Sequence, residues 1–270
     1  MCYSALVKAN IDFLKDWCRT AFVHEPMGYD DWYLGQGKSS AQVPDTLRIF
    51  PGSLAPIVSM KQGRLTLEWM KYGAYPPETI SSPSKYTTYN ARRDNLQSRF
   101  WDSAYLKHHG FVLISGFFEW VQVNDLLRSN IVSLDQVKAY FDHEMIERRS
   151  KVELAGKKWR LTPTEALPPI ERKIMIQISP SRSQVLAVPV IFNHSPRSSN
   201  AENPNPPGFA IITDDPPPEV LAVGHDRCPI PIATQQLGRW IELDSKLHRG
   251  DLDPLGRREQ VVFRAQLVRP

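Results

Sequence analysis

The sequence predicts a strand-rich α+β fold formed as a single domain over residues 1–270. Three observations carry this reading. Eight short runs rich in branched and aromatic residues (47–50, 57–60, 65–70, 111–115, 174–178, 186–192, 209–213 and 261–267) are bounded by turn residues. Proline is abundant, 23 residues against 14 glycines, which argues against long uninterrupted helices. Helical periodicity surfaces in two segments, one at the N-terminus and one midway along the chain.

Taken in order, Ile11, Leu14, Trp17, Cys18 and Phe22 recur at helical spacing, so 10–22 reads as an amphipathic helix. The polar stretch 24–44, with Gly28, Gly35 and Gly37, reads as a long loop. The first four strand runs follow. Ser133 then offers a cap, with Gln136 three residues later as its capping-box partner. Leu134, Val137, Phe141 and Met145 follow one helical face until Gly156 stops the pattern. Charged residues dominate the other face, so this is a surface helix inserted between strands. The last four runs are interrupted by loops at 195–207 and 214–218.

Composition narrows the function classes. Hydrophobic residues make up 41% and charged residues 23%, enough for a sizeable core and incompatible with wholesale disorder. No apolar run approaches the roughly 18 residues of a membrane span, and the strongest run is broken by Pro189. The N-terminus lacks a basic segment followed by an apolar one, so no signal peptide is expected. Three cysteines without a CxxC pair exclude a disulfide scaffold and a four-cysteine zinc site, and suit a reducing compartment. The expected location is cytoplasmic or nucleoid-associated (nuclear in a eukaryote), not secreted. Seven dispersed histidines, including the pair His108-His109 without matching ligands, give no basis for a metal or other cofactor. The net charge, 33 − 29 = +4, is compatible with a local basic groove.

Four places could carry chemistry. Cys2 follows Met1, so loss of Met1 would leave an α-amine and a thiol on adjacent carbons. Their reference pKa values, about 7.7–8.0 and about 8.5, make both partly nucleophilic near neutral pH. An aldehyde would form an imine with the amine, and the thiolate would then close a thiazolidine intramolecularly. Asn90, Arg92 and Arg93 form a polar, basic run able to hold a substrate and its phosphates, with Lys85, Arg99 and Lys107 adding charge nearby. Glu119, between Phe118 and Trp120, points opposite to both if the strand continues; partial burial would raise its pKa toward proton-transfer work. His225 is a candidate acid or base. Taken singly each has a plain explanation: an idle terminal cysteine, a solvated charge cluster, a strand-end salt bridge, a satisfied surface histidine.

Their order changes the picture. Cys2, then Asn90-Ala91-Arg92, Gly116-Phe117-Phe118-Glu119-Trp120 and His225-Asp226-Arg227-Cys228-Pro229 resemble the SRAP family, SOS response-associated peptidase-like proteins that process abasic sites in DNA. The resemblance covers 2–232, with weaker echoes at Phe50-Pro51-Gly52 and at Trp69 followed by Tyr72-Gly73, where the family tends to have Trp-Gly. It implies a mainly antiparallel, barrel-like sheet with peripheral helices. It also implies that Cys2, exposed by autocatalytic loss of Met1, captures the ring-opened sugar aldehyde as a thiazolidine. Glu119 would assist Met1 removal and move protons, Asn90 would hold the substrate or the Cys2 amine, and His225 would protonate the sugar oxygen. Arg92 would grip a phosphate, and Trp69 or Trp120 would serve as aromatic platforms in a groove for single-stranded DNA. Strand cleavage by β-elimination would be a further outcome.

The implied partner is single-stranded DNA containing abasic sites, with no membrane and a monomeric protein. Two other readings remain: a cysteine peptidase or amidase on other substrates, and a non-catalytic single-stranded DNA-binding module. The chain departs from the family at Tyr3 and Ser4, where Gly-Arg is usual, and in its long Glu119-to-His225 interval (225 − 119 = 106), whose excess over compact members is an insertion at 124–169 that contains the predicted helix. The basic end of the inserted helix (Arg148, Arg149, Lys151, Lys157, Lys158, Arg160) either extends a DNA or partner surface or is a solvated face. Cys18 should be a silent core residue, Cys228 is ambiguous, and Cys2, Asn90, Glu119 and His225 should converge in one cleft with Arg92 at its rim.

Overall fold

The computed structural model describes residues 4–22, 26–27, 43–77, 88–105, 107–195, 205–242, 254–256 and 258–268. Among these, eleven strands join in one sheet: β1 (Ser4–Lys8), β2 (Thr46–Ile49), β3 (Leu54–Lys61), β4 (Arg64–Tyr72), β5 (Asn90–Arg92), β6 (His109–Gln122), β7 (Lys173–Pro180), β8 (Leu186–Asn193), β9 (Gly208–Asp214), β10 (Cys228–Pro229) and β11 (Phe263–Leu267). Every run expected from the sequence is a strand or overlaps one. The expected loops at 24–44 and 195–207 lie largely outside the described residues.

The long strand β6 organises the sheet. Its first half pairs with β3 and β8, and β8–β9, β9–β4 and β4–β3 complete a ring of strands back to β6. Its second half pairs with β1 and β7, which carry β2 and β11 on their outer edges. Pairing among these strands is antiparallel except where β9 meets β4 and β5. The mainly antiparallel α+β architecture matches the expectation.

Period-two alternation divides the apolar residues between two cores. Val112 and Ile114 of β6, Tyr72 of β4 and Phe209 and Ile211 of β9 face the first. Phe111 and Leu113, Trp69, and Ala210 and Ile212 face the second, which helices α1 (Ile11–Phe22) and, C-terminal to β10, Thr234–Ile241 cover with Leu14, Cys18, Leu237 and Trp240. The alternation along β6 changes phase midway. Leu6 pairs with Gly116 but Val7 with Ile114, so Ser115 is an extra, bulged residue. Beyond it Phe117 and Val121, rather than even-numbered residues, face the first core. Gly116 is required there, because a Cβ would lie 2.9 Å from the Ile178 carbonyl oxygen.

Among the described residues, four α-helices lie between α1 and Thr234–Ile241: α2 (Asp102–Tyr105), α3 (Val123–Arg128), α4 (Leu134–Leu154) and α5 (Pro218–Ala222). The last helix is therefore α6. The capping box of α4 forms as expected: Gln136 N donates to Ser133 Oγ at 3.2 Å, and Ser133 N to Gln136 Oε1 at 2.8 Å. Val137 and Phe141 are buried in the first core, while Met145 is half-buried. Gly156, at φ +67°, follows the end of the helix. No helix among the described residues is long and apolar enough to cross a membrane.

Candidate active site

The bulge at Ser115 sets the direction of Glu119. Sitting between Phe117 and Val121 in the alternation, Glu119 turns toward the first core's face, and Trp120 turns away from it. Glu119 is 3% exposed. His225 approaches from the turn after α5, where Gly224 adopts φ +82°. A side chain at position 224 would collide with the carboxylate of Asp125 on α3, so only glycine lets this turn pack close enough to deliver His225. His225 is 6% exposed, and its Nε2 lies 2.9 Å from Glu119 Oε2.

The other ring nitrogen decides the protonation. Nδ1 lies 2.7 Å from the Arg227 carbonyl oxygen, which can only accept, and 3.3 Å from the Arg227 N–H. The shorter contact requires a proton on Nδ1. Nε2 then either donates to an ionised Glu119 or accepts from a protonated one, so one proton occupies the gap between the two side chains. Burial raises the Glu119 carboxyl above its ordinary value, and the hydrogen bond and charge of His225 oppose that rise. Such a pair can pass a proton between its two members, as general acid–base work requires.

Asn90 opens β5 opposite Ile211, and Ala91 opposite Ile212 belongs to the second core. Asn90 therefore shares the face of Glu119, where it accepts a hydrogen bond from Tyr72 Oη at 3.3 Å. The last residues of β9 bind β5 at Asn90–Arg92 and β10 at Cys228–Pro229, so one strand end carries Asn90 and the segment that follows His225. Arg92 is exposed at the end of β5, its Nε 2.6 Å from Asp94. Arg93 is held in a charge cluster, 3.1 Å from Asp214, which Arg258 also binds.

The aromatic platforms divide. Trp120 is 41% exposed, on the face of β6 opposite Glu119. Trp69 is only 4% exposed, because alternation along β4 sends it with Leu67 into the second core. That burial leaves no ring face for a base, which corrects the expectation for Trp69. Cys2, like Tyr3, lies outside the described residues; β1 begins at Ser4, paired opposite Phe118, the residue before Glu119. Cys18 is buried, its thiol pushed up to about 12, and burial likewise pushes up the thiol of Cys228. Among the described residues no group of three or more His, Cys, Asp or Glu could hold a metal.

Three contributors were given no role from the sequence: Tyr72 on Asn90, Asp125 behind Gly224, and Arg48, whose Nε donates to Ser4 Oγ at 3.2 Å. The one signal among them was the place of Tyr72 in the weak echo that begins at Trp69.

A family model described as SOS response associated peptidase (SRAP) matches residues 1–265. The chain belongs to the SRAP family. SRAP membership ties it to the DNA-damage response for which the family is named. Its fold is similar to that of a protein from Bacteroides thetaiotaomicron (TM-score 0.59, 14% identity, covering 99% of this chain and 92% of the other). It is also similar to a protein from Bordetella bronchiseptica (0.57, 12% identity, 99% of both chains) and to a phage-related protein of the same organism (0.55, 14%, 100% and 95%). At these identities the likeness concerns the fold alone. No curated protein matches the sequence. In this SRAP chain Glu119 and His225 are joined, Asn90 lies on their face, and Arg92 is exposed at the end of β5.

Proposed function

We propose that this SRAP protein captures abasic sites in single-stranded DNA through Cys2 once Met1 has been removed. The observation that carries the reading is the buried, proton-sharing contact between Glu119 and His225 beside the start of β1. Ser4, two residues after Cys2 in the sequence, faces Phe118, the neighbour of Glu119. Elimination also supports Cys2: of three cysteines, Cys18 and Cys228 are buried with raised thiols and make poor nucleophiles.

The chemistry runs as follows. An abasic deoxyribose opens to its aldehyde as the ring C–O bond breaks: the ring oxygen gains a proton, which His225 supplies, and the anomeric hydroxyl gives its own to water. The Cys2 amine adds to the aldehyde carbon, and loss of water leaves an imine. The Cys2 thiol, its proton taken by Glu119, then attacks the imine carbon, and the nitrogen gains a proton as the thiazolidine closes. Elimination at the imine stage would instead cleave the strand. Asn90 orients the substrate or the amine, and Arg92 contacts the flanking phosphate. An intact nucleotide offers no aldehyde, so selectivity resides in the chemistry as well as in the pocket.

The test is incubation of purified protein with single-stranded DNA carrying one abasic site. A heat-stable adduct that disappears in Cys2→Ser is expected. Absence of any adduct, or an adduct undiminished in Cys2→Ser, would overturn the proposal.

A further inference from the structure

His225 is carried by a segment that has little hold of its own. The helix α5 is five residues long, starts at Pro218 behind Pro216 and Pro217, and has no side-chain cap. A helix this short is not stable by itself in water. Val220 and Val223 are buried, whereas Leu221 is exposed. A cavity of ≈ 760 Å³ runs between Pro216, Pro217 and Pro218 on one wall and residues 258–263 on another, so packing does not fill that side. The turn that follows is tied to the helix: the Gly224 N–H donates to the Leu221 carbonyl at 2.9 Å, and the His225 N–H to the Val220 carbonyl at 3.4 Å. Whatever fixes α5 therefore fixes His225.

Contacts from the C-terminal residues supply that hold. Glu219 Oε1 accepts a hydrogen bond from the Phe263 N–H at 2.9 Å. Phe263 opens β11, whose one strand partner among the described residues is β7. The Val262 carbonyl accepts from Ser181 N on the β7 side, so the Phe263 N–H points to the open edge. On that edge the Glu219 carboxylate stands where a further strand would offer a carbonyl. Upstream of α5, Arg258 binds the Asp214 carboxylate and donates from Nη1 to the Asp215 carbonyl at 3.2 Å. Arg258 is itself placed by its bridge to Ile232 and by the Glu259 N–H, which donates to the Pro231 carbonyl at 2.8 Å. The chain leading to His225 is thus gripped at its start and again on its helix.

The same C-terminal residues connect to Glu119. In the sheet Ile176 of β7 stands between Glu119 of β6 and Leu267 of β11. One side of β11 is therefore locked to the strands that carry Glu119, and its other side is fastened to the helix that carries His225. Apolar contacts such as those of Val220 keep α5 near the core without fixing its rotation, because they have no direction. A hydrogen bond has one.

We propose that residues 258–268 form a strap that holds His225 in register with Glu119, with Glu219 and Arg258 as its positioning residues. Neither side chain touches the reacting atoms. Each acts through the backbone that delivers the imidazole, and proton-transfer groups have to be held to within roughly 0.5 Å by such supporting contacts. Glu219 serves as a hydrogen-bond acceptor here, so a neutral amide oxygen at the same place can replace it. The strap rests on the acid–base role proposed for the Glu119–His225 pair and adds the means by which the pair is kept together.

Nuclear magnetic resonance of protein carrying isotope-labelled histidine tests the strap apart from the aminothiol chemistry. The Nδ1 proton of His225, held against the Arg227 carbonyl, should give a downfield resonance that His225→Gln identifies by its absence. That resonance should persist in Glu219→Gln, which keeps an acceptor for the Phe263 N–H, and be lost in Glu219→Ala while the backbone spectrum of the sheet is retained. Adduct formation should slow roughly tenfold in Glu219→Ala, less than the hundredfold or so that a full 1 Å displacement costs, and stay close to wild type in Glu219→Gln. Arg258→Met, which removes a separate contact, should also weaken the resonance and gives the reading if Glu219→Ala unfolds. A resonance unchanged in both Glu219→Ala and Arg258→Met would overturn the strap. Loss in Glu219→Gln equal to that in Glu219→Ala would overturn the acceptor role of Glu219. Absence of an adduct in the wild type removes the Cys2 chemistry, whereas the resonance alone decides the strap.

Discussion

Glu119 and His225, 106 residues apart in sequence (225 − 119), meet at 2.9 Å with one proton between them. Two backbone features make the contact. The extra residue Ser115 turns Glu119 onto the first core's face, and Gly224 lets the turn carrying His225 pack against Asp125. Neither feature lies within the contact itself. Substitutions at several distances from it therefore have distinct, measurable effects.

Glu119→Gln separates the charge of the carboxyl from its shape. Burial raises the carboxyl above its ordinary value of 4.5, so folding favours the protonated form. That contribution is fully present below the unfolded pKa and is lost as the pH rises through the folded one. Glutamine mimics the neutral form at every pH. The Tm difference, variant minus wild type, should be near zero at pH 4 and positive at pH 8 by calorimetry. A variant less stable than wild type at pH 8 would mean that the charged pair with His225 outweighs burial. Adduct formation should slow by roughly a hundredfold or more, the usual range for loss of a general acid or base.

Gly224→Ala should destabilise the fold by more than about 1 kcal/mol, because it adds a clash to an unfavourable positive φ. Asp125→Ala in the same chain removes the clashing carboxylate. The double variant should recover part of the loss in urea denaturation but not all of it. Strict additivity of the two substitutions would show that the turn does not press on Asp125.

Tyr72→Phe removes the hydroxyl that donates to Asn90 Oδ1 from a fully buried ring. It should cost about 1 kcal/mol of stability, the common value for one intramolecular hydrogen bond. Adduct formation should slow at the same time, since Asn90 loses one of the groups that orient it. Unchanged adduct kinetics would remove Asn90 orientation from the role of Tyr72.

Thiol labelling tests the assignment of the cysteines. Iodoacetamide at pH 8 should modify neither Cys18 nor Cys228 in the native protein, and both should react after unfolding. Labelling of Cys228 in the folded state, read by peptide mass, would return that thiol to the list of nucleophiles.

Much of the architecture was legible in the residues. The strand runs from 47–50 to 261–267, the helix α1 and the Ser133–Gln136 cap of α4 all form where period and capping chemistry place them. These signals are local: alternation, helical spacing and a cap depend on residues a few positions apart. The opposed directions of Glu119 and Trp120 were legible for the same reason. The strands β1, β5 and β10 and the helices α2, α3, α5 and α6 were not singled out, because segments of two to eight residues are defined by what they pair with or pack against. Tertiary structure alone decided three things. Trp69 is enclosed rather than offered to a base, Arg93 is committed to Asp214, and Glu119 reaches His225. Each depends on which sheet face a side chain takes and on which distant segment covers it, and no local pattern encodes either.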